Sequence, residues 1–560
     1  MNFWSDYIKS ALKNPFPDKM SSHLLPHLIV VGAILVYALI QIQHFTPAHP
    51  EYDCDGYLFL AKRIARLQPL AVDDPDPFRH QLHFWVETQN GGVMPKYSPG
   101  YPFLMAIAYW LGGDEAMCLV SPISGTLTLI GAFLLFQLWM PPFMAALSVW
   151  VLTINPMWLA YPGYLLTHGV NTCAITWGMY FLWKWVNCGA NRFGILAGLL
   201  LGFSATVRPT SAMMAIVVGI AIIKKCKDNY GNHGINQGLT NTPVVRSIGI
   251  LVLSYLVFAL VIISFNWIHF GHPIKTGYGL SQEQAAFKLE ILWENFGRVL
   301  KGLNETCLYL IFPIGLVGLF AIGTISERLM RVGWFLPTFL IYSAYYWQAG
   351  GMPFLRFLIC TFPVLIGSAF MVLTRTFNLN VPGERLQGKI AKHILISLFA
   401  VLIVFLQYGP SQAQMDRMVS SGKSEKRLAA GRMLAQNFGD HVVIFSQAPY
   451  EAYLDTVRNF RHYNLARFSG AWGGGERRHP LRTKKINAFY TAFNQEQRNQ
   501  KQKEIIKSFL SENRPVVFLI PKKSLKDYGA RLGPHFMFDL FQDWENGSWG
   551  VYLVKFDEQI

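Results

Sequence analysis

The stretches EYDCDGYLFLAKRIARL (51–67) and GGVMPKYSPGYPFLM (91–105) decide how the rest of the chain is read. They hold two close acids, Asp53 and Asp55, then an amphipathic segment, then Lys96, then a Pro99-Gly100 turn that opens an apolar run. The acids stand about ten residues beyond the first long hydrophobic segment, 27–43, so if that segment spans a bilayer they sit at its surface. Similar hydrophobic runs of roughly twenty residues recur as far as 408.

Working outward, composition agrees with that reading. Of 560 residues, 52% are apolar, 14% aromatic and only 15% charged, which excludes an ordinary soluble domain and fits a polytopic α-helical membrane protein. Spanning helices are expected near 27–43, 117–138, 143–157, 169–186, 193–207, 210–224, 247–266, 307–322, 333–348, 354–373 and 393–408, about eleven in all. The first 22 residues are polar with no leader pattern, and 1–26 is read as a cytoplasmic segment. With that end inside, the inner loops collect Lys184 and Arg192, then Lys224, Lys225, Lys227 and Arg246, then Arg328 and Arg331, then Arg375, Arg385, Lys389 and Lys392. The positive-inside rule is then satisfied at every turn, and the C-terminus falls outside. The net charge of +16 reflects these basic loops against anionic lipid, and no nucleic-acid partner is expected.

The first outer loop, 45–116, contains two segments that are apolar but too short to cross. YPFLMAIAYWLG (101–112) runs for about twelve residues, and counting it as a crossing would put every later basic loop on the wrong side. It is therefore read as a helix on, or dipping into, the outer surface. GYLFLAKRIARL (56–67), with Leu60, Ile64 and Leu67 at helical spacing, suits an interfacial helix. A later outer loop, 267–305, contains a further amphipathic helix over 281–303.

Beyond 409 the composition becomes that of a soluble domain. Strand-like HVVIFS (441–446), PVVFLIP (515–521) and GVYLVKF (550–556) alternate with helical stretches at 424–438 and 494–512, so 409–560 is expected to be an extracytoplasmic α/β domain. The tract ERRHPLRTKK (476–485) could meet anionic headgroups or an acidic acceptor, or be a solvated loop. GAWGGGERR (470–478) lacks the strand–turn–helix setting of a phosphate loop. The seven cysteines show no metal-ligand spacing.

In this topology the candidate chemistry gathers on the outer face. Asp53 and Asp55 can act as general base or hold a cation. Lys96, Arg208 at the end of one helix, Arg356 at the start of another, and His168 share their side of the bilayer. Ionisable groups at helix ends in a membrane mark functional sites, and the guanidinium fork suits phosphate.

Asp53 followed by Tyr57 and Leu60-Ala61, then KYSPGYPFLMAIAYWLGG, resembles the first outer loop of the GT-C glycosyltransferases related to dolichyl-phosphate-mannose protein mannosyltransferases and bacterial lipid A aminoarabinose transferases. VRPT (207–210), FGHPIKTGYG (270–279) and RFLICTFPVL (356–365) resemble other recurrent pieces of that superfamily, and the likeness covers roughly 25–410. The resemblance implies transfer of a sugar, with inversion, from a polyprenyl-phosphate donor to a hydroxyl of a lipid, glycan or protein acceptor at the outer face of a bacterial plasma membrane. It implies Asp53 as base or acceptor positioner and Lys96 among the groups that hold phosphate. Cys54 stands where the family often has a second acid, so Asp55 either substitutes for it or is itself the base. The loop 158–168 has no acid where relatives often carry one, which leaves His168 there.

No obligatory cofactor is expected, since a polyprenyl phosphate is already a good leaving group, although the acid pair could bind a divalent cation weakly. Two other readings belong to different classes: a transporter or flippase for a lipid-linked or acidic solute, and an inactive relative that binds polyprenyl phosphate. The clustering of ionisable residues on one face favours a one-sided active site over a through-path.

Overall fold

A computed structural model describes residues 20–48, 52–73, 76, 78, 84–233, 242–346, 351–377, 386–420, 423–447, 450, 461–469 and 488–558. The basic tract 476–485 and the glycine-rich 470–478 lie outside them.

Helix occupies each stretch where a span is expected. Length and apolarity together qualify Leu24–Gln43, Gly100–Phe136, Pro209–Asp228, Pro243–Phe270, Met352–Thr376 and Ile390–Asp416. Two bent pairs, Pro142–Thr153 with Pro156–Gly163 and Leu289–Leu308 with Ile311–Ala321, turn by 65° and 114° and raise the number to eight among the described residues. That is fewer than the eleven expected. The shortfall has a physical reason: helices such as Thr167–Cys188 are shielded from lipid by their neighbours and can carry Asn171, Thr172 and Thr176 buried inside the bundle. The contrast between spans is large. Pro243–Phe270 is 6% buried, as a lipid-facing helix should be, whereas Met352–Thr376 is 83% buried at the centre. The chain is an integral membrane protein.

The elements that position the site are the helix α1 (Tyr52–Ala65), the hairpin β1 (Trp85–Glu87) and β2 (Val93–Pro95), and α2 (Gly100–Phe136). They are followed by α3 (Thr167–Cys188), α4 (Asn191–Val207), α5 (Leu289–Gly302) and α6 (Ile325–Ser343). Helix α2 breaks at Gly112 and Gly113, the latter at φ 71°, so 100–111 is a helix in its own right before the chain turns into the longer segment. It lies along α1. Trp110 Nε1 donates to the Ala65 carbonyl at 2.8 Å, Arg66 donates to Tyr109 Oη at 3.1 Å, and Lys62 pairs with Asp114 at 2.9 Å.

The amphipathic helix expected over 281–303 begins only at Leu289. Gln282 has φ 63°, a left-handed backbone that ends the preceding turn, and residues Glu283–Ala286 form a short 3₁₀ turn instead. At its far end α5 passes through a π turn over Leu303–Leu308 and bends sharply into Ile311–Ala321.

Among the described residues the C-terminal sheet has five strands: β3 (Val443–Ser446), β4 (Arg461–Asn464), β5 (Val516–Pro521), β6 (Phe536–Trp544) and β7 (Trp549–Phe556). Their order is β4-β3-β5-β7-β6, with β3 parallel to β4 and β5, and β7 antiparallel to β5 and β6. In β5 the period of two sends Val516, Phe518 and Ile520 to one core and Val517 and Leu519 to the other. Both faces are covered, which is why the strand reads as a continuous apolar run. Lys423–Phe438 covers one side through Ala430 and Leu434, and Gln495–Ser511 covers the other through Ile506 and Phe509. Strands β4 and β6 were not expected from the sequence. The composition change at 408 falls inside a helix, Leu386–Ser420, that runs on past it.

Candidate active site

Asp53 lies in the first turn of α1, where the helix N-terminus favours a carboxylate. Tyr97 Oη donates to Asp53 Oδ1 at 2.6 Å, and Arg356 Nη2 approaches Oδ2 at 3.9 Å. The Asp53 side chain keeps 27% of its surface exposed, so an incoming hydroxyl can reach it. Burial first, and the Asp53 charge second, hold the Tyr97 phenol well above its ordinary pKa of 10.0. Tyr97 therefore remains a donor to Asp53 throughout neutral pH.

Two glycines make this approach possible. A Cβ on Gly56 would stand 2.3 Å from the Tyr97 ring, so only glycine lets that ring lie over the first turn of α1. A Cβ on Gly100 would stand 2.2 Å from Thr206 Oγ1, at the end of α4. The sequence KYSPG thus packs against the chain just before Arg208, and residues more than a hundred positions apart become neighbours.

Arg208 caps α4 in an extended conformation. Its Nη1 donates to Thr167 Oγ1 at 3.0 Å and contacts His168 Nδ1 at 3.3 Å, while Nη2 donates to Tyr342 Oη at 2.7 Å. The ring of Phe357 joins the two arginines: the Cζ atoms of Arg208 and Arg356 each lie 5.2 Å from its centroid, His168 meets it edge-on at 5.7 Å, and Tyr342 stacks on it at 4.9 Å. An aromatic face between two guanidinium groups offsets part of the cost of holding like charges close together.

Lys96 occupies the flank. Its Nζ pairs with Glu283 Oε2 at 2.7 Å and faces the rings of Phe84, Tyr278 and Tyr97 at 5.1, 5.5 and 5.9 Å. Tyr345 Oη donates to the other oxygen of Glu283.

Five of the six residues expected from the sequence, Asp53, Lys96, His168, Arg208 and Arg356, therefore form one connected group. Asp55, the sixth, stands two positions further along the same turn, about 200° around α1 from Asp53. Among the described residues no three His, Cys, Asp or Glu side chains gather as a metal site. Sequence reading missed Tyr97, Glu283, Tyr342, Tyr345 and Phe357. The only local hint was that Tyr97 and Phe357 adjoin Lys96 and Arg356.

Chemically, the site offers a carboxylate within reach of solvent, held by a phenol, facing a cation, with a second guanidinium behind an aromatic ring. Such a group can accept a proton on one side and stabilise developing negative charge on the other.

No family model matches the chain, and no curated protein matches it. Solved structures do. ArnT from Cupriavidus metallidurans bound to undecaprenyl phosphate is similar over 94% of this chain and 97% of its own, at 11% identity and a TM-score of 0.55. The apo state of the same protein gives 12% identity and 0.54. The oligosaccharyltransferase AglB from Archaeoglobus fulgidus, in complex with an inhibitory peptide and a dolichol-phosphate, matches 95% of this chain and 74% of its own, at 12% identity and 0.50. At such identities the likeness is one of fold. The helical bundle and the appended sheet share the overall fold of ArnT and AglB.

Proposed function

We propose that the protein is a membrane glycosyltransferase that moves a sugar from a polyprenyl-phosphate donor to an acceptor hydroxyl, with inversion, at the outer face of a bacterial plasma membrane. The orientation comes from the basic inner loops, with the N-terminus inside, about eleven crossings and the domain 409–560 outside. The observation that carries the reading is Asp53, part-exposed between Tyr97 and Arg356, with Arg208 across the Phe357 ring.

In the proposed step the acceptor oxygen attacks the anomeric carbon as its proton passes to Asp53. The bond from that carbon to the phosphate oxygen breaks, and its electron pair leaves with the polyprenyl phosphate. Arg356 and Arg208, with Lys96 nearby, balance the charge that grows on the departing phosphate, and His168 can donate a hydrogen bond to it. No metal is required for this scheme. The lipid phosphates bound by ArnT and AglB support the choice of donor class. Asp55, on another face of its helix, is assigned no part in proton transfer.

The test is transfer in a lipid environment. Purified protein is supplied with labelled polyprenyl-phosphate sugars and a membrane extract as acceptor, and wild type is compared with Asp53→Asn and Asp55→Asn. Turnover that falls with Asp53→Asn and survives Asp55→Asn supports the reading. Turnover with no donor in the panel would reject it.

A further inference from the structure

Lys96 differs from the other two cations in the site. The Arg208 fork is taken up by neutral groups, Thr167, His168 and Tyr342, and Arg356 Nη2 stands 3.9 Å from Asp53 Oδ2. Lys96 instead forms a close ion pair, at 2.7 Å, with side chains only 3% (Lys96) and 12% (Glu283) exposed. The remainder of its surroundings is aromatic, from Phe84, Tyr97 and Tyr278, which complements a cation but supplies no anion. Glu283 thus stands where an oxygen of an anionic ligand would stand.

We infer that Glu283 holds the place of the donor's phosphate on Lys96 in the empty enzyme and gives it up when the anionic carrier binds, so that Glu283 sets how tightly phosphate is taken. The inference rests on the polyprenyl-phosphate reading above. A phosphate added beside an intact Lys96–Glu283 pair would lie within a few ångströms of the carboxylate, where like charges away from bulk water repel strongly. Exchange removes that conflict, and addition does not.

The loop is built to allow exchange. Glu283 keeps a second partner in Tyr345, so it is not left without a hydrogen bond when it leaves Lys96. Gln282, immediately before it, is held at φ 63°, a backbone state that is costly for a residue with a Cβ. Losing the Lys96 contact lets that turn relax. Lys96 changes only its counter-ion, from carboxylate to phosphate. The same pairing selects against uncharged lipids, which cannot replace the carboxylate and would leave Lys96 and Glu283 as they are.

Binding of undecaprenyl phosphate to the full chain in lipid nanodiscs tests this, with undecaprenol as the uncharged control. Glu283→Gln removes the competing charge and is expected to bind undecaprenyl phosphate about tenfold or more tightly than wild type, with undecaprenol binding unchanged. Glu283→Asp keeps the charge and is expected to stay near wild type. Equal or weaker phosphate binding by a folded Glu283→Gln protein would overturn the inference and assign Glu283 a purely structural part. If that variant does not fold, Lys96→Met is compared with the double variant Lys96→Met/Glu283→Gln. The double variant is expected to bind undecaprenyl phosphate more tightly than Lys96→Met, and equal binding by the two would overturn the inference. Failure of wild type itself to bind undecaprenyl phosphate is a separate outcome: it removes the polyprenyl-phosphate reading, and this inference with it.

Discussion

The Asp53 end of the helical bundle and the C-terminal sheet use charge in opposite ways. In the sheet, Lys522–Asp543 and Lys555–Asp539 are both 2.6 Å pairs, with every partner more than a third exposed. Near Asp53 the ionisable groups are buried or nearly so, and they are held by aromatic rings and phenols as much as by one another. Short distance alone therefore says little about importance. An exposed pair exchanges water for a partner at almost no net gain, whereas a buried charge costs much to desolvate and persists where its chemistry is used.

That comparison orders the experiments. The largest effect is expected for Asp53→Asn, which keeps the shape and removes the proton acceptor. Turnover should fall by about a thousandfold while Asp55→Asn stays within about tenfold of wild type, as measured by sugar transfer. Comparable losses in the two variants would break the distinction drawn from their positions on α1.

Phe78 tests whether the two regions are mechanically joined. It lies between α1 and β1, yet it is buried in the aromatic core of the sheet domain, stacked on Phe468 at 5.0 Å and edge-on to Phe489 and Phe493. Arg432 of that domain also pairs with Glu115, just past the break in α2, at 3.2 Å. Phe78→Ala should destabilise the domain by about 3 kcal/mol, seen as a lowered thermal transition, and should also reduce turnover through the loop that carries the hairpin and Lys96. Lowered stability with unchanged turnover would mean that the contact anchors the domain without ordering the site.

A smaller change is expected for Tyr97→Phe, which preserves the ring packing on Tyr57 and removes only the hydrogen bond to Asp53. Turnover should fall by about tenfold and the thermal transition should drop modestly, since one hydrogen bond to a charged group contributes about 1.5–3 kcal/mol. The smallest belongs to the exposed pair: Lys555→Ala should shift domain stability by less than about 0.5 kcal/mol in chemical unfolding. A larger shift there would undo the contrast between exposed and buried charge.

Much of the fold was legible in the chain because lipid is an unforgiving solvent. Every spanning backbone must satisfy its own hydrogen bonds, so helices announce themselves as long apolar runs. The count was less legible, because helices inside the bundle are screened from lipid by protein and need not be apolar. In the sheet, β3, β5 and β7 were visible as apolar runs. Strand β4, RHYN, is short and polar, and β6 is an edge strand whose alternation is interrupted by a bulge between Leu540 and Gln542.

The candidate site divides in the same manner. Asp53, Lys96, His168, Arg208 and Arg356 could be picked out by sequence alone, because an ionisable residue next to an apolar run is costly and hence conspicuous. Their aromatic supports could not, since 14% of the chain is aromatic and one more Tyr or Phe carries no local signal. Nor could the partner of Lys96. Glu283 lies 187 positions away, in a loop whose left-handed Gln282 has no sequence signature. Sequence by itself determined the solvent in which the chain folds and the charges it brings to one face, because burial cost attaches to residue type. Only the tertiary structure decided which of those charges meet, and that Phe78 closes the core of a domain far along the chain, because those are matters of distance, which a linear pattern does not contain.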